Sequence, residues 1–183
     1  KRNFSWVDLD NYTAIEIIIN YLIKKNHSHI SYINISEKYN FANERKSSFL
    51  QNLKLNKIDF NQNYYASVKL DEPEKSFEII KKMLMKNKKI SAIICSTEFS
   101  ALSAIKACNY LNYIIGKDIS IITFDGAIVR DLSSPPITAV SFPVKELGKR
   151  AINILFSKRK NNKPINYLAK TEIIERGSVH IVK

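Results

Sequence analysis

The residues of this chain whose types could do chemistry are few and far apart: Arg45, Thr97, Glu98 and Asp125 among the polar ones, with Tyr39, Phe41, Phe124 and Phe142 as aromatic companions. A guanidinium donates hydrogen bonds in a planar fork, carboxylates accept from pairs of hydroxyls, and ring faces cover apolar patches of a ligand. Together they suit a neutral polyol or a similar small polar molecule. Each also has a plainer reading. Asp125 can close a turn before Gly126, Glu98 can be a first-turn carboxylate favoured by the helix dipole, Arg45 can lie on the surface, and the rings can be core. Catalysis has less to build on. No GxSxG, P-loop or GxGxxG motif occurs, and no Cys/His spacing suits a metal or redox centre. His27, His29 and His180 have no nucleophile or carboxylate signature beside them. A Glu98/Asp125 acid–base pair is the one enzymatic arrangement on offer. The expectation is a binding protein, not an enzyme, with no cofactor and no metal.

What must hold these residues together is an alternation of strands and helices. Short apolar runs at Val7–Leu9, Ile30–Ile35, Tyr64–Lys69, Ile90–Cys95, Ile119–Phe124 and Ile137–Phe142 read as strands. Helical spacing covers Tyr12–Lys25 behind an Asp10 N-cap, Ala42–Leu53, Glu74–Asn87 opened by Pro73, Glu98–Leu111 and Pro143–Phe156. Ser157–Pro164 reads as polar loop and Tyr167–Ile174 as one further strand. The runs Ile90–Cys95 and Ile119–Phe124 are almost continuously apolar, as strands covered on both faces are. The pattern predicts an α/β fold: a mostly parallel sheet with helices on both faces over residues 11–140, and the helix 143–156 lying apart. Ligands of such sheets bind beyond the carboxyl ends of the strands. The strand-exit segments Ser36–Phe41, Lys69–Glu72, Ser96–Glu98 and Asp125–Arg130 therefore gather the candidates on one edge, with His27 and His29 at the opposite end.

At 183 residues with 45% hydrophobic and 25% charged composition, the chain can bury a real core. Its net charge of +12 raises nucleic-acid binding, but the lysines are scattered or paired at helix ends, and only Lys158-Arg159-Lys160 forms a run. A lysine-rich surface accounts for the charge more simply. Cys95 and Cys108 sit in apolar runs and read as buried free thiols. No apolar run is long enough to cross a bilayer, so no membrane partner is expected.

Several segments, in order and at matching spacing, are similar to one family. Val7-Asp-Leu-Asp-Asn11 fits its "VxxDN" stretch, and Asn26-His27 stands where it usually has Gly-His. Arg45 with Phe49 fits "RxxGF", Ser48 replacing the Gly, and Ser96-Thr-Glu98 with Ala101-Leu102 fits its "xND" segment, Thr97 and Glu98 replacing Asn-Asp. Asp118 to Gly126 fits "DISVVGFDD", Pro135 to Val140 fits "PPLTTV", Pro143 with Gly148 and Ala151 fits the helix that follows, and Arg176-Gly-Ser-Val179 fits the closing "RxST". From Val7 to its end the chain resembles the regulatory core of LacI/GalR transcriptional repressors, a fold of the type I periplasmic-binding-protein kind.

The resemblance implies two α/β subdomains joined by crossover strands, one complete here and the other partial. Residues 1–10 would end the amino-side subdomain and cross over, 11–140 would form the carboxyl-side effector-binding subdomain, 141–165 would return, and 166–183 would supply carboxyl-terminal strands. It implies effector contacts at Arg45, Thr97, Glu98 and Asp125, with Phe142 where a Gln is common. The implied partners are a sugar or related polar metabolite, operator DNA through a helix-turn-helix module outside this chain, and a second copy. That second copy would meet helix 98–111 and loop 127–134. The implied location is cytoplasmic. A solute-binding protein of a transport system, sharing the fold and the "FDG" signature, is the alternative.

Overall fold

The structure, a computed structural model, describes residues 4–69, 72–124, 132–157 and 164–183. In chain order its elements are β1 (Trp6–Leu9), α1 (Asn11–Lys24), β2 (Ile30–Ile35), α2 (Asn40–Leu55), β3 (Tyr65–Val68), α3 (Pro73–Lys86), β4 (Ala92–Cys95), α4 (Glu98–Tyr110), β5 (Ser120–Phe124), β6 (Thr138–Val140), α5 (Val144–Phe156), β7 (Asn166–Ala169) and β8 (Ile173–Ile174). A six-stranded sheet runs in the order β3-β2-β4-β5-β6-β8, parallel throughout except for the antiparallel edge strand β8. Strands β1 and β7 pair in parallel as a separate two-stranded sheet.

Every residue of β2, β4 and β5 is buried, because both faces of the sheet are covered. The period-two alternation of a strand sends its side chains to opposite layers. Ile94, Ile122 and Phe124 pack with Ile15, Ile18 and Leu22 of α1 and Phe49 and Leu53 of α2. Ile93, Cys95 and Ile121 pack with Phe77, Ile80 and Leu84 of α3 and the alanines of α4. Ala101, Ala104 and Ala107 line the inner side of α4, so that helix approaches the sheet closely. Both cysteines are free and buried. Helix α5 lies apart, as expected: it packs on β1 and β7, and none of its residues is buried.

With only 4 glycines in the chain, helix ends must turn without them. Asn26, Lys57 and Asn112 take positive φ of 64°, 56° and 60° just after α1, α2 and α4. The N–H groups of His27, Ile58 and Tyr113 then reach back to the carbonyls of Leu22, Leu53 and Cys108, satisfying the orphan oxygens of the last turns. Asn26 thus does the work of the Gly usual before this histidine, since Asn tolerates the left-handed region. Gly116 is different: at φ +80° an added Cβ would lie 2.2 Å from the Gly177 carbonyl oxygen.

The expected strand over Tyr167–Ile174 is two strands in two sheets. Ala169 ends the ladder with β1, residues 170–172 carry the chain across, and Ile173 pairs with Val140 of β6. The expected strand from Ile90 begins instead at Ala92, because Ile90 N–H closes a turn onto Asn87 and Ser91 N–H bonds His29. Most of loop 125–136, including Asp125 and Arg130, and the Lys158-Arg159-Lys160 run lie outside the described residues. No helix of the described residues is long and apolar enough to cross a membrane.

The carboxyl-terminal segment closes the amino end of the sheet. Ser178 Oγ donates to Ile121 O at 2.6 Å and accepts from Thr138 N–H at 2.8 Å, stitching β5 to β6. Beside it His27, 2% exposed, has Nε2 3.0 Å from the His180 carbonyl and Nδ1 2.8 Å from Ser91 Oγ. Ser120 Oγ is 3.1 Å from His27 Nε2 and 2.9 Å from His180 Nδ1. Burial, aided by His180 and Lys25, pushes the His27 pKa down from 6.5 to about 4, against its hydrogen bond to the His180 backbone. The folded protein therefore binds fewer protons than the unfolded chain between these two values. Stability is full above pH 6.5 and falls as pH drops toward 4. Urea unfolding is expected to lose about 2 kcal/mol between neutral pH and pH 5, and His27→Asn should flatten that slope; an unchanged slope in the variant would contradict this reading.

Candidate ligand-binding site

Strands β2 and β4 are neighbours, and the chain leaves them in opposite directions: α2 leads outward to β3, α4 to β5 on the other side. This reversal opens a crevice at the carboxyl ends, where parallel α/β sheets bind ligands. A cavity of about 380 Å³ lies there, lined by Asp8, Leu9, Asn11, Phe41, Arg45, Ser96, Thr97, Glu98, Phe99, Phe124 and Phe142. Its size suits a small molecule. A second hollow, about 710 Å³, continues from it along β1 and β7 and shares Asp8, Leu9 and Asn11.

Arg45 organises the crevice. It sits on the second turn of α2 and is only 3% exposed. Its Nε donates to Asn11 Oδ1 at 2.8 Å and its Nη1 to the Ser96 carbonyl at 2.9 Å. The guanidinium carbon lies 3.5 Å from the centroid of the Phe124 ring, 5.0 Å from Phe41 and 5.8 Å from Phe142. Burial lowers its pKa to about 10, while Tyr32, Asp8 and Glu44 act to raise it. At neutral pH it is a buried cation, held by two acceptors and three aromatic faces.

The other expected residues fall into different places. Phe124, 2% exposed, is the floor under the guanidinium, and Phe142 meets it edge-on at 6.2 Å. Phe41 lines the cavity; Tyr39 stacks on it at 5.8 Å but is half exposed and outside the lining. Glu98 opens α4, where a carboxylate favours the helix dipole, and lines the cavity. Thr97 lines it too, but its hydroxyl is committed: Oγ1 accepts from Ser100 N–H at 3.2 Å, and Ser100 Oγ accepts from Thr97 N–H at 3.1 Å, a reciprocal cap of α4. Asp125 lies outside the described residues.

Asp8, Leu9, Asn11, Ser96 and Phe99 belong to the cavity and were not singled out from sequence. Asn11 had a signal, since it ends the quoted Val7–Asn11 motif. It is 3% exposed, donates from Nδ2 to Glu44 Oε2 at 3.0 Å, and accepts from Arg45. Ser96 had only its position in a strand-exit segment. Among the described residues no group of His, Cys, Asp and Glu is placed to hold a metal ion.

Comparison with known proteins fits this architecture. Residues 19–179 match the periplasmic binding protein-like domain. The HTH-type transcriptional repressor PurR of Histophilus somni is 28% identical over 158 residues, 86% of this chain and 47% of that protein. The HTH-type transcriptional regulator MalR of Clostridium butyricum is 27% identical over 179 residues, 97% of this chain and 53% of that one. The chain spans about half the length of the curated relatives it matches. Among solved structures, a complex of the transcriptional regulator CelR with cellobiose superposes with a TM-score of 0.83 at 17% identity, covering 96% of this chain and 54% of that one.

Because Thr97 is a cap before it is a contact, Thr97→Ala should cost about 1 kcal/mol of stability in urea titrations. A loss of ligand affinity with no loss of stability would place its hydroxyl on the ligand instead.

Proposed function

We propose, from the premise that this chain belongs to the periplasmic binding protein-like domain family, that it is the effector-sensing core of a LacI/GalR-like transcriptional repressor. The observation that carries this reading is the Arg45 crevice at the sheet's switch point, in a chain whose relatives are helix-turn-helix-type regulators. Those relatives favour a regulator over a transport protein, and a binding role over an enzymatic one.

On this reading residues 11–140 are the carboxyl-side effector-binding subdomain. Residues 1–10 and 141–165 belong to the amino-side subdomain and its crossovers, and 166–183 supply carboxyl-terminal strands. The separate β1–β7 sheet and the exposed helix α5 support that division. The effector is a small polar metabolite, held by Arg45, Glu98 and Asp125 between the rings of Phe41, Phe124 and Phe142. Operator DNA is bound by a module outside these residues, and the protein works in the cytoplasm as a homodimer. The exposed Leu102 on α4 belongs to the apolar surface for that contact, which helix 98–111 and loop 127–134 would form. Effector and operator affinities are then linked: a ligand that prefers one arrangement of the subdomains shifts DNA affinity by the same factor that DNA shifts its own.

This chain by itself is expected to show no sequence-selective DNA binding despite its charge of +12. Scattered lysines provide phosphate attraction that fades with salt, whereas selectivity needs side chains placed against base edges. Gel-shift titration against operator and scrambled duplexes at two salt concentrations tests this, and tight selective binding would overturn it. In the full-length protein Asp125→Ala should weaken the ligand response while sparing operator binding; an unaltered response removes Asp125 from the site.

A further inference from the structure

Among the described residues the guanidinium of Arg45 is a buried cation without a counter-ion. No carboxylate lies within salt-bridge distance of it among the described residues. The two nearest in effect are otherwise engaged: Glu44 accepts from Asn11, and Asp8 accepts from the Leu9 N–H. Phe124, Phe41 and Phe142 surround the guanidinium, so its directional hydrogen bonds must be made in its plane. There, Nε and one proton of Nη1 are taken, and Nη2 has no partner among the described residues. Charges removed from water are normally paired.

Ser96 is the second observation. Its side-chain oxygen is buried and has no hydrogen-bond partner among the described residues, although the residue lines the same cavity. Its backbone is spent, the N–H on Ile33 O and the carbonyl on Arg45 Nη1. A serine hydroxyl turns between staggered positions of χ1, and an acceptor beside Arg45 Nη2 would satisfy both donors at once. The apolar part of the wall is Leu9, Phe41, Phe99, Phe124 and Phe142, and its four rings can cover the faces of a ring-bearing ligand. Asp8 and Glu98, also in the lining, accept from N–H or O–H groups.

We propose that Arg45 Nη2 and Ser96 Oγ form the anion-receiving end of the cleft. The effector is accordingly a ring-bearing carboxylic acid carrying a hydroxyl or amino donor, not a neutral sugar. This rests on the effector-cleft reading above. Para-hydroxybenzoate, its uncharged amide para-hydroxybenzamide, glucose and cellobiose serve as probes, read by thermal shift and isothermal titration on the full chain. Para-hydroxybenzoate is expected to raise the melting temperature and the amide at equal concentration is not. Ser96→Ala should weaken para-hydroxybenzoate binding about tenfold, the scale of one charge-assisted hydrogen bond. It should leave the ligand-free melting temperature unchanged or higher, because the hydroxyl it removes has no protein partner. A lower ligand-free melting temperature in Ser96→Ala overturns the assignment, since the hydroxyl would then be structural. If glucose or cellobiose binds in a manner abolished by Arg45→Gln and para-hydroxybenzoate does not bind, the cleft reading stands and the carboxylate falls. Failure of all four probes to bind counts against both.

Discussion

The structure at the carboxyl edge of the sheet depends on keeping one positive charge out of water. Arg45 reaches from α2 to Asn11 at the start of α1, to the Ser96 carbonyl at the exit of β4, and onto Phe124 at the end of β5, with Phe142 beyond β6 beside it. Burying a guanidinium costs several kcal/mol unless its donors and faces are answered. Here hydrogen-bond acceptors and ring faces answer most of it, and in doing so fix the segments that follow four different elements. The crevice at the switch point is therefore preformed, and a ligand entering it meets groups already in position.

The opposite edge is held by a different device. Ser178 bridges β5 and β6, His27 and His180 close over Ser91 and Ser120, and Gly116 lets the 113–118 turn lie against Gly177. These contacts join side chains to one another and to the backbone of neighbouring strands, and burial keeps His27 neutral at physiological pH, so they lock rather than sense. The six-stranded sheet is then a platform with its candidate binding groups gathered at one edge. Asp8, Leu9 and Asn11 line both the crevice and the hollow beside β1 and β7. Ligand contacts at one are thus contiguous with the strands that, on the proposed division, lead to the other subdomain.

Much of this was legible in the residues. Ile90–Cys95 and Ile119–Phe124 read as doubly covered strands because nearly every side chain there is apolar, and the parallel order followed from the alternation with helices. The shared edge of Arg45, Glu98 and Phe124 followed from where parallel sheets leave room. The burial of Arg45 was not legible: an arginine one turn into a helix looks like a surface residue until β4, β5 and β6 converge on it. Ser96 and Asn11 were hidden for the same reason, being small polar residues beside turns whose partners lie 34 to 51 positions away. The break at 170–172 was concealed because β7 and β8 are both short, and nothing in their residues tells which sheet each one joins.

The central claim is that small molecules are sensed at the Arg45 edge. Amide hydrogen exchange, recorded with and without a compound that raises the melting temperature, addresses it directly. The account predicts added protection in residues 8–11, 41–46 and 96–100, with the His27 edge unchanged. Protection confined instead to the hollow around His29, Lys57, Tyr64 and Lys89 at the opposite end would contradict it.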